Sequence, residues 1–551
     1  MTGARLWLIG YAIWSLLVSG WFFLDGRSAD LADLSGDQIN ILTIAARKDH
    51  PDLLRRDLVV GNPADTAYYI PAFVDTVRLL SRPDHDYLRG LNVLLFLTSL
   101  LYMWGWWLLF SSWGEPLTAA LLAFLARGIL WPPGNELWGI AGLWTMLPRT
   151  LFLAALPWVL WMWVRRRTTT GGWLVAAMSC GIIVNIHPIS GACIAAALLV
   201  SELAWELGER RRYAEVARRC AGGAMMVLVG ASPFLISFWL TLGQLGGVDP
   251  AEFERATRER LSPVFSDVAL YLSSWLQVKW MLLILMPWMI GAAVWSRLAE
   301  SHRTAVLALG AFAMSCVAFA VGPVLVEESL RHWGHTPRFG FQLIRTGKYI
   351  LAPSLIVLAM LCAFLVSWAC ARVRWARPVI VAASACVVAV TLLARNPVFD
   401  SIPGVGDEVV RQLWPPSAGP ATEPDIGSLT TVIDWIRDNT STDAGFIGPR
   451  LIRVGALRSV IHDFAGAVML IEGNPRAYVA TARRQEDIRR AELHGALAQA
   501  RLFASWGADY WVTRTVAPGL TVAYSSTPWF VYDLRPGQMA SVAAHQPRSR
   551  P

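Results

Sequence analysis

LWLIGYAIWSLLVSGWFFL, residues 6–24, runs directly into DGRSADLADLSGDQINILTIAARKDHPDLLRRD, residues 25–57. The first piece is long enough to cross the hydrocarbon core of a bilayer, which takes about 20 apolar residues. It is too long for a signal-peptide core and lacks a clear cleavage site, so it reads as a retained first span. The second piece opens a polar loop, Asp25–Gly90. That loop holds Asp25, Asp30, Asp33, Asp37, Asp49, Asp52, Asp57, Asp65, Asp75, Asp84 and Asp86, and no Glu. Beyond Gly90 the chain is mostly apolar as far as Leu393. In such a chain a long acidic loop beside the membrane is the first place to look for water-borne chemistry.

The chain has 551 residues, 55% hydrophobic and 16% charged, with mean hydropathy +0.43. A soluble protein is about a quarter charged. Apolar runs of about 20 residues recur from Leu6 to Leu393, which predicts a polytopic α-helical membrane protein with about eleven transmembrane helices. The net charge of +8 does not argue for nucleic acid, because the Arg residues cluster in short loops between spans. The only lysines are Lys48, Lys279 and Lys348. All seven cysteines lie in or beside expected spans, so the sequence offers neither a disulfide framework nor a Cys-x-x-Cys metal site.

The expected spans are Leu6–Leu24, Leu91–Phe110, Leu117–Trp131 (carrying Arg127), a fourth reaching Val164, Trp173–Ile186, a sixth reaching Leu203, Gly222–Leu242, Trp280–Trp295, Ala305–Leu325, Tyr349–Ala369 and Val379–Leu393. Arg follows the fourth, sixth, eighth and tenth spans. By the positive-inside rule those loops and the N-terminus are cytoplasmic. The acidic loop and everything after Arg395 then lie outside. Residues 1–399 are expected to form the transmembrane domain and 400–424, rich in Pro, Gly and Ser, a linker. Residues 425–539 are expected to form a small extracytoplasmic α/β domain, and 540–551 a disordered tail. Within that domain Leu429–Asn439 and Arg483–Trp506 read as helices. Phe446–Ile447, Ser459–His462, Tyr510–Thr513, Thr521–Tyr524 and Trp529–Leu534 read as strands.

Two constellations carry candidate chemistry. In the loop, Gln38–Arg47 has helical spacing, with Asp37 at its start. Such a helix would lie along the membrane surface with its apolar face down. Pro51 is expected to start a second short helix ending near Asp57. The plain alternative is an N-cap and a solvated charge. The second constellation is Arg338, Arg345 and Lys348, with His332 and His335 nearby, just before the tenth span. Guanidinium grips phosphate through two hydrogen bonds, so this set suits a lipid phosphate; the alternative is interfacial snorkelling. Arg127, Glu136, Arg149 and His187 are candidate substrate-lining groups at membrane depth. A Walker loop, a Gly-x-Gly-x-x-Gly fingerprint, a His-Glu-x-x-His pair and a Gly-x-Ser-x-Gly elbow are all absent from the sequence. An internal repeat of the transporter kind is absent too.

The layout resembles the GT-C superfamily of integral membrane glycosyltransferases. The resemblance rests on the first span leading into the loop Asp25–Gly90, on Asp37 and Asp57, on the run Asp49–Asp57, and on Val432–Thr440 at the start of a terminal domain. The loop departs from the family in having no clear Asp-Glu pair; its one Asp-x-Asp is Asp84-His85-Asp86. The resemblance implies transfer of a sugar, with inversion, from a polyprenyl-phosphate donor to an extracytoplasmic glycan, lipid or protein hydroxyl. Asp37 would be the base, Asp57 a second acid, and Arg338, Arg345 and Lys348 the donor-phosphate site. It leaves the cofactor open, with Mg or Mn held by Asp37 and Asp57 as the candidate. The competing readings are a lipid or sugar transporter or flippase, and a non-catalytic cell-envelope assembly protein.

Overall fold

The computed structural model describes residues 2–536 except 28, 30, 32–33, 83–85, 114–118, 120–122, 124–127, 132–135, 141, 210–211, 243–247, 266–277, 334–342, 377, 381 and 384–425. The chain opens with α1 (Thr2–Arg27), α2 (Gly36–Asp49), α3 (Pro71–Ser81) and α4 (Tyr87–Phe110). A hairpin comes next, β1 (Gly128–Trp131) and β2 (Glu136–Gly139). Then come α5 (Pro148–Arg166), α6 (Thr170–Val184), α7 (Pro188–Gly208), α8 (Tyr213–Leu242), α9 (Pro250–Phe265), α10 (Val278–Ala293), α11 (Glu300–His332) and α12 (Leu351–Arg372). The last part holds α13 (Ile426–Asn439), β3 (Gly445–Ile447), α14 (Ile452–Gly455), β4 (Ser459–Val460), α15 (Pro475–Glu492), α16 (Ala496–Ser505), β5 (Tyr510–Thr513), β6 (Val522–Ser526) and β7 (Trp529–Asp533).

The elements fall into two compact units. One comprises Met1–Gly26, Val93–Leu235 and Val264–Ser417; the other comprises Arg27–Asn92, Ile236–Pro263 and Ala418–Pro551. This division differs from the expected one. The acidic loop groups with the C-terminal residues, not with the helices on either side of it.

Among the described residues, six helices are long and apolar enough to cross a membrane: Leu8–Arg27, Tyr87–Phe110, Pro188–Gly208, Tyr213–Thr241, Glu300–Leu330 and Ile344–Arg372. That is the build of a helical membrane protein. Thr170–Val184 and Ile284–Ala293 are shorter apolar helices. The expected span Leu117–Trp131 ends in β1 instead of a helix, and its earlier part, with Arg127, lies mostly outside the described residues. Most of Val379–Leu393 lies outside them too, as do 400–424 and 540–551.

In the first unit, helices pack through small residues, as apolar helices must where lipid already solvates their side chains. A Cβ on Gly181 of α6 would strike the Val227 carbonyl of α8, and one on Gly230 would strike the Met178 carbonyl. The same block holds four buried charges. Arg167 Nε lies 3.1 Å from Glu202 and Arg167 Nη2 2.8 Å from Glu206; Arg219 Nε lies 2.7 Å from Glu202. The Trp163 indole donates to Glu202 at 2.7 Å, and the Arg167 guanidinium stands 4.0 Å above the Trp205 ring.

The second unit is built on a five-stranded sheet of order β4-β3-β5-β7-β6. β3 runs parallel to β4 and β5; β7 is antiparallel to β5 and β6. Alternation divides the side chains between two faces. Phe446, Val512 and Val531 pack with Val432, Ile433 and Ile436 of α13. Their neighbours Ile447, Trp511 and Tyr532 pack with Ile488 of α15 and with Ala500 and Phe503 of α16. The expected single helix Arg483–Trp506 is two helices, parted at Gly495, whose φ of 86° favours glycine. α9 joins this unit through Phe253 and Ala256 against Tyr478, and through an Arg489–Glu259 pair at 2.5 Å.

Candidate functional site

The second unit contains the loop acids from Asp37 on. α2 starts where the spacing predicts, but its cap is Ser35. The Ser35 hydroxyl accepts from the Gln38 N–H and the Gln38 side chain accepts from the Ser35 N–H, a reciprocal capping box. Asp37 sits in the first turn with its carboxylate exposed, where the helix dipole favours negative charge. Residues 38–47 are all buried. The helix is therefore enclosed on every side within its unit and has no polar face for a water boundary, which corrects the surface-lying expectation. After Pro51 the chain forms turns, not a helix. Leu54 takes φ 58°, a left-handed conformation that cannot continue a helix.

Asp57 is buried and saturated. Its Oδ1 accepts from the Val59 and Val60 N–H groups at 2.9 and 3.2 Å. Its Oδ2 accepts from Arg453 Nε at 2.7 Å and the Val460 N–H at 2.8 Å. Arg453 is fully buried and also donates to Asp463 at 2.5 Å. Burial works against the Arg453 cation, but Asp57 and Asp463 outweigh it and hold the guanidinium above its ordinary value. Burial likewise works against the Asp463 carboxylate. Arg453, Arg450 and the Gly466 N–H overcome it and hold the carboxyl below the usual range. Asp57 has no lone pair left for an acceptor or a metal, so it joins the loop to the C-terminal residues and is not a second catalytic acid. Among the described residues no group of three His, Cys, Asp or Glu side chains could hold a metal ion.

The first unit contains the cations. Arg345 and Lys348 lie on a 3₁₀ turn, Ile344–Ile350, that leads straight into α12. Arg345 is half-buried; Lys348 is 3% exposed, and its ammonium lies 5.6 Å from the centre of the Tyr349 ring. The Tyr349 hydroxyl donates to Ser190 Oγ at 2.6 Å. Its ring stands edge-on to Phe152 at 5.5 Å and to Trp138 at 6.1 Å. Phe152 in turn lies 6.3 Å from His187, and Trp138 lies 6.0 Å from Trp106. His187 is placed by local sequence: Pro188 starts α7, and His187 is the residue before it. The hairpin β1–β2 supplies Trp138, and α5 supplies Phe152.

This cluster therefore unites Lys348 and His187 with two groups that sequence reasoning misses, Ser190 and Tyr349. Arg149 is at the start of α5, one turn from Phe152. Glu136 is opposite Trp131 in the hairpin. His332 ends α11. Arg127, His335 and Arg338 lie outside the described residues. A cation in dry, aromatic surroundings attracts an anion far more strongly than one in water. Aromatic faces suit sugar rings and isoprenoid chains, and paired hydroxyls suit sugar hydroxyls. No protein-family model matches this chain, and no curated protein matches it.

Proposed function

We propose that this protein is a membrane glycosyltransferase of GT-C type that uses a polyprenyl-phosphate sugar. The observation that carries the reading is the buried Lys348, with Arg345 one turn before it, at the head of an apolar helix and beside Tyr349, which in turn meets Trp138, Phe152 and Ser190. A lipid phosphate is an anion that arrives at membrane depth, and a guanidinium and an ammonium three residues apart suit a phosphate. In the reaction an acceptor hydroxyl oxygen bonds to the anomeric carbon, and the bond from that carbon to the phosphate oxygen breaks. The electron pair leaves with the phosphate, whose charge Lys348 and Arg345 offset. The acceptor's proton goes to a general base, for which the resemblance implies the exposed Asp37 carboxylate. The protein would lie in a bacterial inner membrane with its N-terminus cytoplasmic, and its acidic loop and C-terminal residues outside. Asp57 has no part in this chemistry.

A second reading has one observation in its favour. The loop and the C-terminal residues form a single unit around the Asp57–Arg453 pair, which suits a protein that presents a rigid surface to a cell-envelope partner.

Thermal unfolding of the detergent-purified protein tests the proposal. A polyprenyl phosphate is compared with the matching polyprenol, with Lys348→Met and Arg345→Ala run alongside. At a hundred times its Kd a ligand adds about 2.7 kcal/mol to the folded state. Stabilisation by the phosphate alone, lost in both variants, is the expected result. An equal response to both lipids would overturn the phosphate site.

A further inference from the structure

α8 contains Pro233. Proline has no N–H to donate and its ring crowds the carbonyl four residues back, so the helix ladder is interrupted there. In a membrane span each unmet backbone group costs several kcal/mol. Here the affected groups are met from the side. The Ser232 hydroxyl donates to the Val229 carbonyl at 2.8 Å, filling the acceptor that residue 233 would have used. The next pair in the ladder, the Phe234 N–H and the Gly230 carbonyl, meets one side chain from another helix end. Asn185 Oδ1 accepts from the Phe234 N–H at 2.9 Å, and Asn185 Nδ2 donates to the Gly230 carbonyl at 2.9 Å. Nδ2 also donates to the Ile182 carbonyl at 2.9 Å, within the last turn of α6. The carboxamide's acceptor and both its donor hydrogens are thus in use.

The position of Asn185 gives this a consequence for the site. Asn185 is the residue after α6 and lies two before His187 and five before Ser190. The backbones of α6 and α8 already touch at Gly181 and Gly230, so the carboxamide reaches its two partners without adjustment.

We propose that Asn185 is a positioning residue. Its carboxamide stands in for the helix bond that Pro233 disrupts, and by doing so it fixes the turn that presents His187 to Phe152 and Ser190 to Tyr349. Asn185 has this role whatever ligand the cluster takes.

A double-mutant cycle tests it. Asn185→Ala should lower the unfolding temperature, because the Phe234 and Gly230 groups lose their partner. Pro233→Ala should restore most of that loss in the Asn185→Ala background, because the helix can then close its own bond. Additive effects of the two substitutions would overturn the stand-in. The second readout is alkylation of Cys193, buried one turn after Ser190 on α7, in a protein whose other cysteines are replaced. If Asn185 positions the turn, Cys193 should react about tenfold faster in the double variant than in the parent even where stability has returned. Restored protection together with restored stability would overturn the positioning role. Should Asn185→Ala fail to accumulate, Asn185→Asp keeps the acceptor for Phe234 and loses the donor to Gly230. The same two measurements are then made with and without Pro233→Ala, with the same outcomes for and against.

Discussion

Each unit buries guanidinium against carboxylate, and the two networks differ in what they join. In the first unit Arg167, Glu202, Glu206 and Arg219 come from helix ends and turns within about fifteen helical turns of sequence. Two cations meet two anions in an apolar block. In the second unit Arg453 sits between Asp57 and Asp463, and its partner Asp57 is 396 residues away. Two anions meet one buried cation, and Arg450 lies 3.8 Å from Asp463 as a looser fourth member. The first network aligns neighbouring helices. The second joins a loop to a domain that the chain reaches only after all the intervening helices. A buried pair is weak evidence of net stabilisation, but removing one partner leaves a charge stranded. The surroundings set how badly.

The largest effect is expected for Glu202→Ala, which leaves the two buried cations Arg167 and Arg219 sharing the buried Glu206 and the Trp163 indole without its acceptor. The loss should be about 3–5 kcal/mol, read as failure to accumulate or as a low unfolding temperature. Replacing Arg167, Arg219, Glu202 and Glu206 together by apolar residues should recover part of it. If the single and fourfold variants behave alike, the charges do not act as one network.

Arg453→Met comes next, at about 3 kcal/mol or somewhat more, because Asp57 and Asp463 are left buried together. Hydrogen exchange should speed up at residues 54–61 and 445–465 and stay unchanged across α5 to α8. A change in both places would mean that the networks are not independent.

The acid response is smaller and sharpens the contrast, since it belongs to the second unit. His462 is buried beside Asp463, Arg484 and Arg453, and bonds Gln485 at 2.9 Å. Burial is the main cause that holds its pKa below the ordinary value of about 6.5. The unfolded chain therefore binds the proton more readily. Stability is full above about pH 6.5 and falls as the pH drops through that value, by at most about 1.4 kcal/mol per pH unit. His462→Gln should flatten this slope between pH 7 and 5. Asp463 adds a second loss near and below pH 4, because its folded value is depressed. An unchanged slope in His462→Gln would place the acid sensitivity elsewhere.

The smallest effect marks the surface limit. Asp434 and Arg437 pair at 2.6 Å on α13, both about half exposed. Asp434→Ala should cost no more than about 0.5 kcal/mol.

The contrast also explains what the sequence can tell. The apolar helices are legible because length and composition suffice to find them. The start of α2 near Asp37, and the His187-Pro188 break before α7, are legible because helix starts and proline act locally, although the cap itself is Ser35 and not Asp37. Gly128–Trp131 misleads because a short apolar run fits a strand or a helix equally well. The helix expected after Pro51 fails on the left-handed Leu54, and the helix Arg483–Trp506 on Gly495; neither leaves a periodic signal. The role of Asp57 is out of reach because Arg453 is 396 residues away, and nothing in local pattern links them. Ser190 and Tyr349 are hidden for the same reason, being 159 residues apart. The enclosure of α2 comes from the same long-range packing, and alternation of apolar residues cannot reveal it.

The most direct test of the account is turnover. Purified protein would be incubated with a panel of polyprenyl-phosphate monosaccharides and a membrane extract as the source of acceptor. Release of free polyprenyl phosphate would be measured for the parent and for Asp37→Asn. The account predicts that the parent consumes at least one donor, and that Asp37→Asn still responds to polyprenyl phosphate in thermal unfolding but does not turn over. Full activity in Asp37→Asn would contradict the assignment of the base, and phosphate-lipid binding by the parent without any donor consumed would contradict the enzyme.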